Sequence, residues 1–189
     1  MGLDYSYTYL TLDNHSFLEM NHLSPSLGFS VAEDIYLHTS YIFMAKDFRQ
    51  DADSDRDANN HSLGADLFYF FMDNQAYFKA GYRIEDENTD GAEYEYLGHL
   101  LSASVQVVPF AETKMRLSYK HHRKDYRNIN PEIGAEREET KDSCQLVVTR
   151  KIYDNFEIKL DYQYINNDSN IAANKYNENR VFAGLAVQY

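Results

Sequence analysis

The chain has 189 residues, 43% of them hydrophobic and 25% charged, which fits one domain spanning 1–189. Its formal net charge of −12 excludes nucleic acid as a partner, because phosphate binding requires clustered lysine and arginine. The single cysteine excludes a disulfide framework, and no apolar run approaches the ~20 residues of a membrane-spanning helix.

Period-two alternation of apolar and polar residues predicts β-strands throughout the chain. The aromatic content, Tyr 17 and Phe 11 against Pro 3, favours the same structure. The clearest strand is 156–164, where Phe156, Ile158 and Leu160 share one face and Glu157 and Lys159 the other. In chain order the predicted strands are 3–12, 22–32, 35–46, 61–72, 76–85, 97–108, 115–122, 143–152, 156–164 and 180–189.

The connections between these strands alternate between short and long. The short ones are 32–34, 73–74, 111–113 and 154–155, and the long, acidic ones are 13–21, 47–60, 86–96, 123–142 and 165–176. Short turns at one end and long loops at the other are typical of outer-membrane barrels, whose turns are periplasmic and whose loops are extracellular. We therefore predict an all-β, antiparallel, up-and-down transmembrane β-barrel of about ten strands.

The polar faces of these strands would line the lumen of such a barrel. The predicted lumen-lining residues are Asp66, Lys79, Arg83, Glu85, Arg116, Lys120, His122, Glu157, Lys159, Asp161 and Arg180. A turn at Asp73 and Asn74 places Asp66 diagonal to Lys79 and Arg83, so we expect an ion-pair ladder. If ten strands close, these charges are structural; if they form an arc of a larger barrel, they line a pore.

Tyrosines near strand ends predict the aromatic girdles that mark the two membrane interfaces. These tyrosines are Tyr9, Tyr36, Tyr77, Tyr96, Tyr119, Tyr164 and Tyr189.

The sequence offers weak signals for metal binding or catalysis. Asp86, Asn88 and Asp90 alternate as calcium ligands do, but Leu97 stands where such a loop needs an acidic residue. His121 and His122 lie near the rim with Asp125, yet the sequence fixes no acid–base geometry among them. We expect no metal, no cofactor and no catalytic residue.

The C-terminal hairpin carries a family resemblance. Its residues run from Asn155 to Tyr164 and through Tyr176-Asn177-Glu178-Asn179-Arg180-Val181-Phe182-Ala183-Gly184-Leu185 to the terminal Tyr189. This stretch resembles the last hairpin of proteobacterial outer-membrane barrels linked to tetratricopeptide repeats, including surface lipoprotein assembly modifiers and exopolysaccharide-associated barrels. The resemblance implies that Tyr189, in place of the usual Phe, is the signal read by the barrel-assembly machinery. Those barrels usually have more strands, so the chain is expected to be either a complete barrel or the C-terminal part of a larger one.

The leading hypothesis is a non-catalytic passage through the bacterial outer membrane, in contact with outer-membrane lipid. The transported solute, or the exported polymer or lipoprotein, is left open by the sequence. The alternative is a barrel-anchored surface interaction protein, an adhesin or scaffold with a plugged lumen. A soluble calycin-type barrel, with its apolar faces inward, is the third possibility.

Overall fold

A computed structural model describes residues 1–153 and 155–187. Within them, ten strands are joined in chain order, with short 3-10 turns at Asp51–Arg56, Ala92–Tyr94 and Ala172–Asn174. None of these helical segments is long and apolar enough to cross a bilayer. The strands are β1 (Gly2–Leu12), β2 (His15–Ala32), β3 (Ile35–Phe48), β4 (Ala58–Phe71), β5 (Ala76–Thr89), β6 (Tyr96–Phe110), β7 (Thr113–Asn130), β8 (Ala135–Tyr153), β9 (Phe156–Ser169) and β10 (Tyr176–Val187).

All ten strands belong to one antiparallel sheet in which each strand pairs with its neighbours in the sequence. Strands β1 and β10 are the two ends of this sheet, and each pairs on one side only in the described part of the chain. The predicted up-and-down antiparallel topology is confirmed.

The strands extend further at the loop end than the hydrophobic pattern predicts. Strand β7 continues to Asn130 and β8 begins at Ala135, so most of the predicted loop 123–142 is a paired hairpin. Outside a bilayer both faces of a hairpin are wet, so apolar alternation ends there, while the backbone hydrogen bonds continue.

The prediction of a long loop at 13–21 is wrong, because the residues at 13 and 14 form a tight turn. Strands β1 and β2 are joined by Asp13 and Asn14 alone, and both residues have positive φ, at 51° and 64°. Two consecutive residues of this kind form the tight turn that suits a β-hairpin, and Asp and Asn adopt it readily. The Asp-Asn pair was the available signal for this turn.

The two faces of the sheet differ in chemistry and in curvature. One face, here called the apolar face, carries exposed large side chains such as Val181 at 79% and Leu185 at 74% exposure. The opposite polar face holds most of the buried strand residues, including Asn60, Ser62 and Glu87. The polar face is therefore the concave one. The calycin alternative, which requires apolar side chains inside, is wrong.

A glycine on the concave face accommodates an aromatic ring. Gly28 lies diagonally across from Tyr36 in the β2–β3 hairpin, and a Cβ at Gly28 would collide with the Tyr36 hydroxyl and would lie 2.5 Å from its Cζ. The Tyr36 ring therefore packs on the backbone at Gly28, and any larger residue at position 28 would displace it. This contact fixes the register of the hairpin next to its turn.

We predict that Gly28→Val lowers the free energy of unfolding by roughly 1–3 kcal/mol, because the added side chain overpacks against Tyr36. Urea unfolding of the detergent-refolded protein measures this change. The double variant Gly28→Val/Tyr36→Leu is the control and should recover most of the loss, since it removes the ring. A double variant as unstable as the sum of the two single variants would contradict the contact.

Candidate functional site

The polar face brings the eleven predicted lumen-lining residues onto one surface. Register places Asp66 opposite Gly81, Lys120 opposite Ser102 and Arg180 opposite Gln163, and residues opposite one another point to the same side of the sheet. The remaining predicted residues lie an even number of positions from these along their strands or across the ladder. That they line an open lumen stays a prediction.

Ion pairs at the centre of the polar face join neighbouring strands. The Lys79 Nζ lies 3.2 Å from Asp66 Oδ1, so the predicted diagonal contact is confirmed. Arg83, predicted to share Asp66, instead donates to the Ser40 hydroxyl at 3.3 Å. His122 Nε2 lies 3.1 Å from Glu85 Oε2. These contacts connect β3 to β7 across the face.

The β8–β10 end of the face has its own contacts. Asp161 accepts a hydrogen bond from Gln145 Nε2 at 2.8 Å and lies 3.6 Å from Lys159 Nζ. Arg180 donates twice to Glu178, at 2.6 and 2.8 Å. These pairs are partly exposed and contribute little to stability individually.

A tighter network lies at the loop end and was not predicted from the sequence. Glu87 is 7% exposed; its carboxylate lies 2.5 Å from Lys46 Nζ and accepts from Asn60 Nδ2 at 2.8 Å. The Asn60 Oδ1 in turn accepts from the Ser62 hydroxyl at 2.8 Å. Because Glu87 lies in an acidic stretch that predicts a loop, only the strand register shows that it points inward.

The polar face has a surplus of positive charge. Among the described strand residues, twelve lysine and arginine side chains lie on this face against eight carboxylates, in a chain of net charge −12. The cations are Lys46, Lys79, Arg83, Lys114, Arg116, Lys120, Lys124, Arg137, Lys141, Lys151, Lys159 and Arg180. The carboxylates are Asp4, Asp66, Glu85, Glu87, Glu139, Glu157, Asp161 and Glu178. The acidic character of the chain therefore resides in its loops and outer rim.

The apolar face carries a repeated polar contact, again not predicted from the sequence. In each of the five hairpins a tyrosine of the first strand hydrogen-bonds a polar side chain of the second, at 2.5 to 2.9 Å. The pairs are Tyr5–Asn21, Tyr41–His61, Tyr82–His99, Tyr119–Asp142 and Tyr162–Asn179.

These tyrosine pairs lie on an inclined line across the sheet. Tyr41 pairs with Leu63, which pairs with Ile84, and Tyr82 lies two residues nearer the turn end. The same two-residue step separates each tyrosine from the next, so the line drops one residue per strand. With ~3.4 Å per residue and ~4.8 Å between strands, a belt parallel to the membrane implies a strand tilt of about 35°. Transmembrane barrels have tilts of this size.

The distance from the turn end to the belt is also constant. Six residues separate the start of each ascending strand from its tyrosine, in the pairs Ile35 and Tyr41, Ala76 and Tyr82, Thr113 and Tyr119, and Phe156 and Tyr162. The polar partners lie two residues further out, so the apolar band is ~22 Å tall at this tilt, close to the ~25 Å of outer-membrane barrels. This belt is an interfacial girdle.

The predicted girdle residues divide between the faces. Tyr9, Tyr119 and Tyr164 lie on the apolar face, and Tyr164 donates to Asn177 at 3.0 Å. Tyr36, Tyr77 and Tyr96 lie on the polar face, so their assignment to the girdle is wrong. Position near a strand end does not determine the face, whereas register does. Tyr189, the predicted assembly signal, lies outside the described residues.

The candidate acid–base residues are separated by the sheet. His121 lies on the apolar face, 2.9 Å from Asp142, while His122 lies on the polar face beside Glu85. Asp125 accepts from Arg123 at 2.8 Å. These three side chains do not meet in one site.

The outer rim binds its acidic side chains to nearby cations. Asp86 lies 2.7 Å from Arg127, and Asn88 lies beside it, while the Asp90 amide donates to the Asp57 carbonyl. No three His, Cys, Asp or Glu side chains of the described residues converge as metal ligands do.

Lys175, next to Asp168, lowers the pKa of that carboxyl at the tip of the β9–β10 hairpin.

Comparison with known proteins gives a family and a fold. Residues 7–187 match the family described as surface lipoprotein assembly modifier. The fold resembles a loop L8 deletion mutant of OmpT, an outer-membrane protein of Vibrio cholerae, with a TM-score of 0.65 and 13% identity over 97% of this chain. It also resembles OccAB4 of Acinetobacter baumannii, with a TM-score of 0.58 and 12% identity over 98% of this chain. The chain spans 58% and 49% of those two structures, respectively, and no curated protein matches its sequence significantly.

The position of the girdle can be tested with tryptophan, because the natural chain contains none. We predict that Tyr82→Trp is quenched best by lipids brominated near the headgroup, and Ala80→Trp, in the middle of the apolar band, best by lipids brominated deep in the acyl chain. Tyr77→Trp, on the polar face, is the control and should be quenched by neither. Equal quenching at positions 77 and 80 would contradict the assignment of the faces.

The Glu87 network should stabilise the loop end. We predict that Glu87→Ala lowers the free energy of unfolding by roughly 1–3 kcal/mol, because it leaves Lys46 and Asn60 without their acceptor. The matched control is Glu178→Ala on the same face, whose exposed pair with Arg180 should cost less than about 1 kcal/mol. Urea midpoints in detergent measure both, and equal losses would show that burial of Glu87 is unimportant.

Proposed function

The chain belongs to the surface lipoprotein assembly modifier family, and from this premise we propose that its polar face forms part of a passage through which a surface lipoprotein polypeptide crosses the outer membrane. Membership of the family supports a role in surface lipoprotein assembly. The passage itself is our proposal, and the shape and chemistry of the concave face support it.

The observation that carries the proposal is the open, hydrophilic surface along β7. Recesses of about 380 Å³ and 390 Å³ lie toward the turn end and at the loop end of the polar face. Strand β6 places the small residues Gly98, Ser102 and Ser104 on this face. They alternate with the larger Tyr96, Leu100 and Gln106, so β6 fills the concave face only in part. An extended polypeptide needs a wall of this kind, with polar groups to replace water along its backbone.

The alternative, a surface scaffold anchored by a plugged barrel, rests on the acidic loops. The turn Asp51–Arg56 and the hairpin tips carry much of the negative charge and face the cell exterior. In that function the loops would bind the partner and the polar face would serve as structure. Neither function requires catalysis, and we propose none for His121 or His122.

Labelling with a bulky thiol reagent separates these two functions. In a Cys144→Ser background, a maleimide-polyethylene glycol group on Ser102→Cys obstructs the polar face, and the same group on Ala52→Cys obstructs a loop. We predict that the label at position 102 abolishes delivery of a lipoprotein across reconstituted vesicles, because it fills the passage. Protease accessibility of the lipoprotein measures delivery.

The label at position 52 is the control and should leave delivery near the unlabelled level. Delivery blocked at position 52 but not at 102 would overturn the passage and favour the scaffold. Unlabelled variants that deliver normally establish that the substitutions themselves are tolerated.

A further inference from the structure

The strongest unexplained feature of the polar face is a row of cations that have no carboxylate within ion-pair distance among the described residues, although Glu139 lies directly opposite one of them, Lys124, in the β7–β8 ladder. Along β7, Arg116, Lys120 and Lys124 follow one another at four-residue intervals on the same side of the strand. Lys141 of β8 lies in the neighbouring position, opposite His122. In the described part of the chain none of these four forms an ion pair, although other cations of the polar face do. We name these four residues the β7 cation row.

The surroundings of the row keep it open to a ligand. Arg116 and Lys120 line one recess, and Lys120 lines the next together with Arg83. Lys124 and Lys141 line a recess of about 370 Å³ at the loop end. These recesses follow one another along β7, two of them sharing Lys120 and two sharing Lys124, and we call this series of recesses the trench.

Two buried donors border the same trench. The Nε atoms of Arg83 and Arg137 are buried and have no hydrogen-bond partner among the described residues. A buried donor of this kind is normally paired, and a carboxylate is the acceptor that a guanidinium binds best. Arg137 already donates to Glu139 through Nη2, at 2.5 Å, and lies over the Tyr126 ring at 4.6 Å, so its Nε can gain an acceptor only from a ligand that comes to it. Lys124 lies over the Tyr96 ring at 4.1 Å.

We propose that the β7 cation row is a binding track for an acidic, extended segment of the polypeptide that crosses the membrane. This inference rests on the proposed function, and it further states that the translocated polypeptide carries a negatively charged segment. Eight residues of strand separate Arg116 from Lys124, about 27 Å. An extended peptide lying along β7 has the same rise per residue, so carboxylates at every fourth position meet the cations in register.

The test uses a fluorescein-labelled twelve-residue peptide with glutamate at every fourth position, and the protein in detergent. Fluorescence anisotropy should show binding that weakens as salt rises, because charge pairs near a surface are screened. A peptide with glutamine in place of each glutamate should bind at least roughly tenfold more weakly. Equal affinity for the two peptides would overturn the proposal.

The variant Arg116→Gln/Lys120→Gln/Lys124→Gln should lose affinity by roughly tenfold. The matched control is Arg49→Gln/Arg123→Gln/Arg127→Gln, which removes the same charge from cations outside the polar face. It should bind the peptide as the natural protein does. Equal losses in both triple variants would show that net charge, not the row, attracts the peptide.

Two further measurements exclude simpler explanations. The charge-reversed variant Arg116→Glu/Lys120→Glu/Lys124→Glu should bind the peptide with lysine at every fourth position, a gain that an unfolded protein cannot show. Inorganic phosphate, added at a concentration of negative charge equal to that of the peptide, should fail to displace the acidic peptide. Displacement would show that the row binds any small anion rather than an extended peptide. If lipoprotein delivery persists in a glutamine variant that no longer binds the peptide, the track is wrong and the passage stands.

Discussion

A slip of one residue between neighbouring strands would move every side chain of one strand to the opposite face. Here the two faces meet media as different as water and hydrocarbon, so register is the constraint on which fold and site both depend. Contacts on both faces hold it. The Lys79–Asp66 pair joins β4 to β5 on the polar face, and the Tyr82–His99 pair joins β5 to β6 on the apolar face. Each of these diagonal contacts exists in one register only.

The tyrosine pairs connect register with membrane position. Their one-residue drop per strand and the constant six residues to the turn end describe two parallel planes, one at each edge of the apolar band. A polar partner for each hydroxyl is needed because the ring lies at the boundary, where hydrocarbon gives way to headgroups. Histidine, asparagine and aspartate serve equally, which explains why the partners share no residue type.

The alternation of apolar and polar residues predicts the membrane-crossing half of every strand and one face of the site. Phe156, Ile158 and Leu160 alternate with charged residues because one face of the strand contacts hydrocarbon and the other contacts water. The pattern therefore places Glu157, Lys159 and Asp161 together on the polar face. Beyond the membrane both faces contact water and the alternation is lost. The pattern there predicts neither the inward position of Glu87 nor the tight turn at Asp13 and Asn14. Tyr36, Tyr77 and Tyr96 were misplaced because an amphipathic ring fits either face near a boundary.

The charge of the whole chain is a poor guide to the charge of the site. The eight carboxylates of the polar face leave four of its twelve cations unbalanced, while most aspartates and glutamates lie in loops or on the outer rim. At physiological ionic strength charges more than ~8 Å apart are largely screened from each other in water. Arg116 and Lys120 lie four or more residues below Lys124 on β7, at least ~13 Å along the strand, so the loop carboxylates beyond it neutralise them little. An acidic protein can therefore present a cationic concave wall.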